Sequence, residues 1–227
     1  MALWVLSVAS IFLALKTSNE PVLVIFRNTQ ADSFFQKFST GNSIIYDLSI
    51  GFLVSVTFYL LVVWLPDRQR KNLIKRNFEV QYRYFKEDTI RIFLSACVNS
   101  ADSGLPRKLS KQSEFRKYFK EAATESQDRW ESVLSGLDER LIKDLLVELE
   151  ILMNEVAFVL NNVKIDGRNV FSFFKQLSQA VYKLKNHTPE YEDVKELSKF
   201  LWELFAGWSF IEGYRENDIV EVMIRKI

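Results

Sequence analysis

The chain is poor in the residues that carry most metal and nucleophile chemistry. Histidine occurs once, at His187, and cysteine once, at Cys97, among 227 residues. One cysteine excludes an intramolecular disulfide, and one imidazole argues against zinc hydrolases, Ser-His-Asp triads and phosphohistidine chemistry. Glycine and proline are scarce, at seven and four, and no glycine-rich loop precedes a helix to cradle phosphate. His187 falls in Lys185-Asn186-His187-Thr188-Pro189 and reads as a solvated loop residue. Cys97, near the end of an apolar run, reads as a small core hydrophobe. Glu148, Glu150 and Glu155 lie mostly off the apolar stripe of their helix, with no His or Cys beside them. No catalytic residue, cofactor or metal site is therefore expected, and the chain is not read as an enzyme.

Charge is also missing from one region of the chain. Residues 1–66 carry six charges that cancel (Lys16, Arg27 and Lys37 against Glu20, Asp32 and Asp47), whereas the remainder is densely charged. Leu48 to Leu65 is eighteen residues without a charge. With Ser43 to Tyr46 ahead of it, this run crosses a hydrocarbon core of roughly 30 Å at about 1.5 Å per residue. Tyr46 and Trp64 lie near its ends, where amphipathic rings favour the headgroup region, and Asp47 is placed to snorkel to water. A shorter apolar segment, Ala2 to Leu15, precedes it. Nothing before Lys16 is basic, so an uncleaved, short or tilted membrane helix is favoured over a cleaved signal peptide or a buried end.

What is abundant is helix-forming material. Nineteen phenylalanines and long Leu/Lys/Glu-rich runs favour helices packed around bulky cores. From Asp67 a helical pattern continues to about Val98, with Leu73, Phe78, Tyr82, Phe85, Ile90, Phe93 and Leu94 as its stripe. Asn99 to Lys108 reads as a loop. Ser113 to about Leu134 reads as a helix with a broken face (Phe115, Phe119, Ala122, Trp130, Val133, Leu134). Asp138 is placed to cap the next helix, whose stripe is Leu141, Leu145, Leu149, Leu152, Val156 and Val159. Asp166-Gly167 interrupts, and Asn169 to Lys185 follows. Thr188-Pro189 opens a helix running from Val194 to Ile211, ended by Gly213, in which Phe200 and Trp202 add apolar surface off the stripe. Asp218 caps a last helix through Ile224. The expected fold class is all-α: an N-terminal membrane hairpin (1–66, helices about 2–16 and 44–65), a helical stalk (67–98) and a cytoplasmic helical bundle (99–227).

The exit of the second membrane segment is basic. Five of the nine residues from Arg68 to Arg76 are cationic (Arg68, Arg70, Lys71, Lys75, Arg76) and none is acidic. Such flanks stay in the cytoplasm, which places the C-terminal part and the N-terminus inside and residues 17–42 outside. The cluster is first a topology determinant, and it also suits anionic lipid headgroups or a phosphate backbone. Residues 77–227 carry −3, since the total of +1 includes five cations of the cluster and the negative Asp67, so a broad nucleic-acid surface is not expected. Gly51-x-x-x-Ser55 is a small-xxx-small pair that lets membrane helices approach closely, and it suggests self-association.

This arrangement resembles the small two-transmembrane effectors that accompany bacterial retrons in anti-phage defence. The short apolar segment, the helix Leu48–Leu65, the basic exit Arg68–Arg76 and a helical domain without catalytic residues carry the likeness. The resemblance implies an inner-membrane, multi-pass effector, held silent by a reverse transcriptase with its RNA–DNA product, that damages the membrane when infection disturbs the complex. The alternative is a non-catalytic anchor or scaffold that positions a soluble partner. Either reading expects a tag near the C-terminus to be shielded in intact cells and to become accessible only after lysis. Labelling from outside without lysis would overturn the orientation.

Overall fold

The computed structural model describes residues 2–17, 42–97, 103–165, 167–185, 191–209 and 211–227. The outer loop expected over 17–42 (apart from its two end residues), His187, Thr188-Pro189 and Asp166 lie outside the described residues. The chain is helical, with two strands of two residues each among the described residues, and divides into two compact units, Met1–Arg70 and Lys71–Ile227.

In the first unit, α1 (Ala2–Thr17) packs along α2 (Asn42–Tyr59). Among the described residues there, the buried side chains are small: Ala14, Thr17 and Ser49. Large apolar side chains point outward instead: Trp4 is 68% exposed, Leu48 75% and Phe58 64%. Hydroxyls on both helices bond their own carbonyls four residues back, Ser7 to Leu3 (2.8 Å), Thr17 to Leu13 (2.7 Å), Ser55 to Gly51 (2.9 Å) and Thr57 to Leu53 (2.8 Å). No external partner is needed for them.

Proline 66 does not end the helix. The turn before it, Leu60–Trp64, is π-helical, and Leu65 N–H donates to the Leu60 carbonyl five residues back. Pro66 lacks an N–H, and a widened turn shifts the carbonyl ladder so that the helix passes the imide without breaking. The run continues as α3, Leu65–Cys97.

The second unit is built on α3. Ile74, Phe78, Tyr82, Phe85, Ile90, Phe93 and Leu94 are buried in its core, so the segment expected as a stalk supplies the bundle's apolar spine from Lys71 onward. Leu73, expected on that stripe, is exposed, and its neighbour Ile74 takes the position. Phe93 is the hub, with ring centroids 5.2 Å from Trp130, 5.5 Å from Phe205 and 6.2 Å from both Phe115 and Phe119. Three further segments, carrying Phe115 with Phe119, Trp130 and Phe205, thus meet on one ring.

The helices that cover α3 differ from expectation in three places. Within the expected loop Asn99–Lys108, residues 105 onward form a short helix, α4 (Leu105–Leu109). The broken face over Ser113–Leu134 belongs to two helices, α5 (Gln112–Lys120) and α6 (Arg129–Gly136). Between them the chain turns back, with an Ala122–Asp128 bridge, and Ala122 is exposed. Asp128 and Glu131 form a reciprocal capping box that starts α6. Then α7 (Glu139–Asn162) begins at the Asp138 cap and buries all six stripe residues from Leu141 to Val159, followed by α8 (Arg168–Lys185).

The third difference lies at the end of α9 (Tyr191–Ala206), which stops short of Ile211. Gly207 adopts a left-handed φ of 65° that ends the helix. Its carbonyls are taken up by α5: Gln112 Nε2 donates to Leu204 O and Arg116 Nη1 to Ala206 O. The chain then forms a hairpin of β1 (Trp208–Ser209) and β2 (Gly213–Tyr214), and α10 (Ile219–Arg225) closes the bundle. Trp202 packs on Trp130 at 5.0 Å, so its off-stripe surface belongs to the core.

Gly136 marks the tightest backbone approach, since a Cβ there would lie 2.0 Å from the Ala96 carbonyl oxygen, whereas one at Gly51 meets nothing within 4 Å. Gly136→Ala is expected to destabilise the bundle by about 1–3 kcal/mol in urea unfolding, and Gly51→Ala to leave the midpoint unchanged. Equal midpoints for the two variants would contradict this packing.

Candidate functional site

The most polar part of the bundle interior joins α3 to α10. Helical spacing puts Phe78, Tyr82, Phe85, Lys86 and Phe93 on one buried face of α3; the phenylalanines join the aromatic core, and Tyr82 and Lys86, one turn apart, meet the start of α10. Lys86 Nζ lies 3.2 Å from Asp218 Oδ2 and 2.5 Å from Glu221 Oε1, and the side chains of Lys86 and Asp218 are each only 7% exposed. The Tyr82 hydroxyl donates to Asp218, at 2.9 Å from Oδ2 and 3.1 Å from Oδ1. Asp218 Oδ1 also accepts the Val220 and Glu221 N–H groups that open α10. One carboxylate therefore caps a helix, pairs a buried lysine and fixes a buried phenol.

These contacts tune the groups. Burial pushes the Tyr82 phenol well above its ordinary range, and the carboxylates of Asp218 and Glu221 push it further. For Glu221, burial works upward, but bonds and charge from Lys86 and Arg225 outweigh it and hold the carboxyl below its usual value. Burial raises the Cys97 thiol despite nearby Arg129, the setting of an inert core thiol rather than a reactive one.

Beside the cluster a cleft of about 350 Å³ opens, lined by Arg83, Lys111, Glu79, Ser110 and Arg225, with Tyr82, Lys86, Glu221 and Ile224 also on its wall. Arg225 Nη2 is 3.2 Å from Glu221 Oε2. Among the described residues no group of three metal-ligating side chains converges.

The residues singled out in the sequence are divided between the two units. Arg68 lies over the Trp64 ring at 5.1 Å, a cation–π contact. Arg70 is exposed in the first unit. In the second unit Arg76 is exposed and Lys71 half-buried, while Lys75 turns to the bundle and donates to the Arg225 carbonyl. Gly51 and Ser55 are exposed on α2, where the Ser55 hydroxyl donates to the Gly51 carbonyl. The ion cluster has one signal in the sequence: Lys86 interrupts the apolar stripe one turn after Tyr82.

The cluster sets a pH window. Glu221 is depressed in the folded state, so its stabilisation is present above the ordinary carboxyl range and lost as pH falls through the folded value. Tyr82 is raised, so its contribution holds below the ordinary phenol range and is lost as pH climbs through the folded value. Lys86→Met, which leaves the buried Asp218 without a cation while Glu221 keeps Arg225, is expected to cost about 3–5 kcal/mol in urea unfolding at neutral pH, and adding Asp218→Asn to recover part of it. An additive double variant would show that the cluster is not coupled. No protein-family model matches the chain, and no curated protein or solved structure matches it.

Proposed function

We propose that the chain is a membrane-active effector of bacterial abortive anti-phage defence, a two-span protein of the inner membrane whose helical bundle lies in the cytoplasm. The observation that supports its membrane part is the state of the long apolar helix, and the defence role rests on the resemblance in layout. Its most apolar eighteen-residue window is only 6% buried. A core helix of a soluble protein would be covered, and an exposed apolar surface of this extent suits lipid around it. The self-satisfied hydroxyls of α1 and α2 are what hydrocarbon surroundings require.

The short length of α1 adds support. Sixteen residues span about 24 Å, less than the roughly 30 Å of a typical hydrocarbon core. A short span is accommodated by thinning the bilayer or by oligomerising, and both suit a protein that breaches a membrane. The open face carrying Gly51 and Ser55 is where a second copy would dock. The basic run from Arg68 to Arg76 holds the bundle on the inner side and meets anionic headgroups. No enzymatic step is needed in this scheme. A reverse transcriptase with its RNA–DNA product is the restraining partner that the resemblance supplies.

Induced expression with a membrane-potential dye tests the reading: depolarisation should precede growth arrest. Exchanging residues 1–66 for an unrelated membrane hairpin should abolish both effects. A chain that keeps its activity after the exchange is an anchor for a soluble partner, and unchanged potential under all triggers would sink the effector reading.

A further inference from the structure

We propose that the cleft between α3, the α4–α5 junction and α10 is a binding site for a small phosphate-bearing anion, held by Arg83, Lys111 and Arg225. The cleft volume of about 350 Å³ falls within the range of small-molecule sites, roughly 300–1,000 Å³. Its charges are unevenly satisfied. Lys86 is committed to Asp218 and Glu221, and Glu221 also pairs with Nη2 of Arg225. Arg83 and Lys111 have no carboxylate within ion-pair distance among the described residues; Arg83 rests over Tyr84. Both are exposed at the wall of the cleft. Against them stands Glu79, the one lining carboxylate without an ion pair among the described residues.

The surplus is therefore positive and comes from three separate elements. A guanidinium on α3, an ammonium at the α4–α5 junction and the remaining nitrogens of Arg225 on α10 surround one space. Three cations from three directions suit a group with several charged oxygens better than a planar carboxylate, which one guanidinium satisfies. The surroundings add to the field: Leu105–Lys120 holds six cations (Arg107, Lys108, Lys111, Arg116, Lys117, Lys120) and one acid, Glu114. A cleft walled by low-dielectric protein focuses such a potential. The local balance thus departs from the −3 of the whole segment. The phosphate could belong to a soluble compound or to a lipid headgroup. The cleft lies wholly within the bundle, so the inference stands apart from the membrane-breaching reading.

The test titrates inorganic pyrophosphate into the full chain in neutral phosphatidylcholine nanodiscs and reads the heat of binding. Saturable binding is expected, weakened about ten-fold or more by Arg83→Glu or Lys111→Glu, and less by Arg83→Gln or Lys111→Gln. Lys117→Glu, the same charge change away from the cleft, should have little effect. Thermal unfolding of each variant checks that it is folded, and the glutamine variants decide the matter if the glutamates are not. Nanodiscs containing phosphatidylglycerol separate the sources: retained binding points to a soluble ligand, and suppressed binding to a headgroup already in the cleft. Absence of binding in neutral nanodiscs, or equal weakening by Lys117→Glu, overturns the proposal. Neither result bears on depolarisation, which is measured separately.

Discussion

In the proposed scheme, one helical run, from Asn42 to Cys97, has to be stable in two kinds of surroundings. Over its first stretch the side chains are apolar on every side and almost none is covered by protein. Over its later stretch, a single face is buried under aromatic rings while the opposite face carries charge. A helix answers this demand because its backbone hydrogen bonds are all internal, so the same backbone serves in either medium. What changes is the side-chain shell. Hydroxyls fold back on their own turns in the apolar stretch, Arg68 covers the Trp64 ring at the change of character, and cations take over beyond it. The π turn before Pro66 keeps the run continuous at the point where an imide would otherwise break it.

Around the later stretch of that helix the bundle is organised by two unlike interactions. Phe93 and its four aromatic neighbours supply burial and edge-to-face contact, worth about 0.5–1.5 kcal/mol per pair beyond area. The Tyr82–Lys86–Asp218–Glu221 cluster adds little net stability by the usual balance of desolvation against attraction. Its value is positional, because a buried lysine tolerates only an arrangement that brings both carboxylates to it. It pins α10 to α3 and forms one wall of the cleft. In the proposed scheme, a bundle that receives a signal has to alter α3, and the contacts made by α10 are where a bound anion would compete for Arg225.

The differences from expectation share a cause. Trp208 and Ile211 keep helical spacing with Leu204, so periodicity alone carries α9 too far; a positive φ at Gly207, filled by the Gln112 side chain, ends it. Leu73 and Ile74 are equally apolar neighbours, and only the packed bundle distinguishes the buried one from the exposed one. The stretch 121–128 holds no proline or glycine, and its turn is made by backbone bonds such as Ala123 N–H to Gln127 O. Lys75 read as part of a uniform basic exit, but its ammonium is drawn inward by a free carbonyl at the end of α10.

Residue order alone was enough for features that rest on apolar spacing or on a capping side chain beside an apolar stripe. The long uncharged run, the stripe from Leu141 to Val159 and the caps at Asp138 and Asp218 all belong to that class, because helical spacing and capping act within a few residues. The assembled fold was needed for meetings across long stretches of chain. Lys86 and Asp218 are 132 residues apart, and Lys75 and Arg225 are separated by 150. A pattern of apolar and charged positions says which face of a helix must be covered. It does not say which segment covers it, and the cleft exists only where those segments meet.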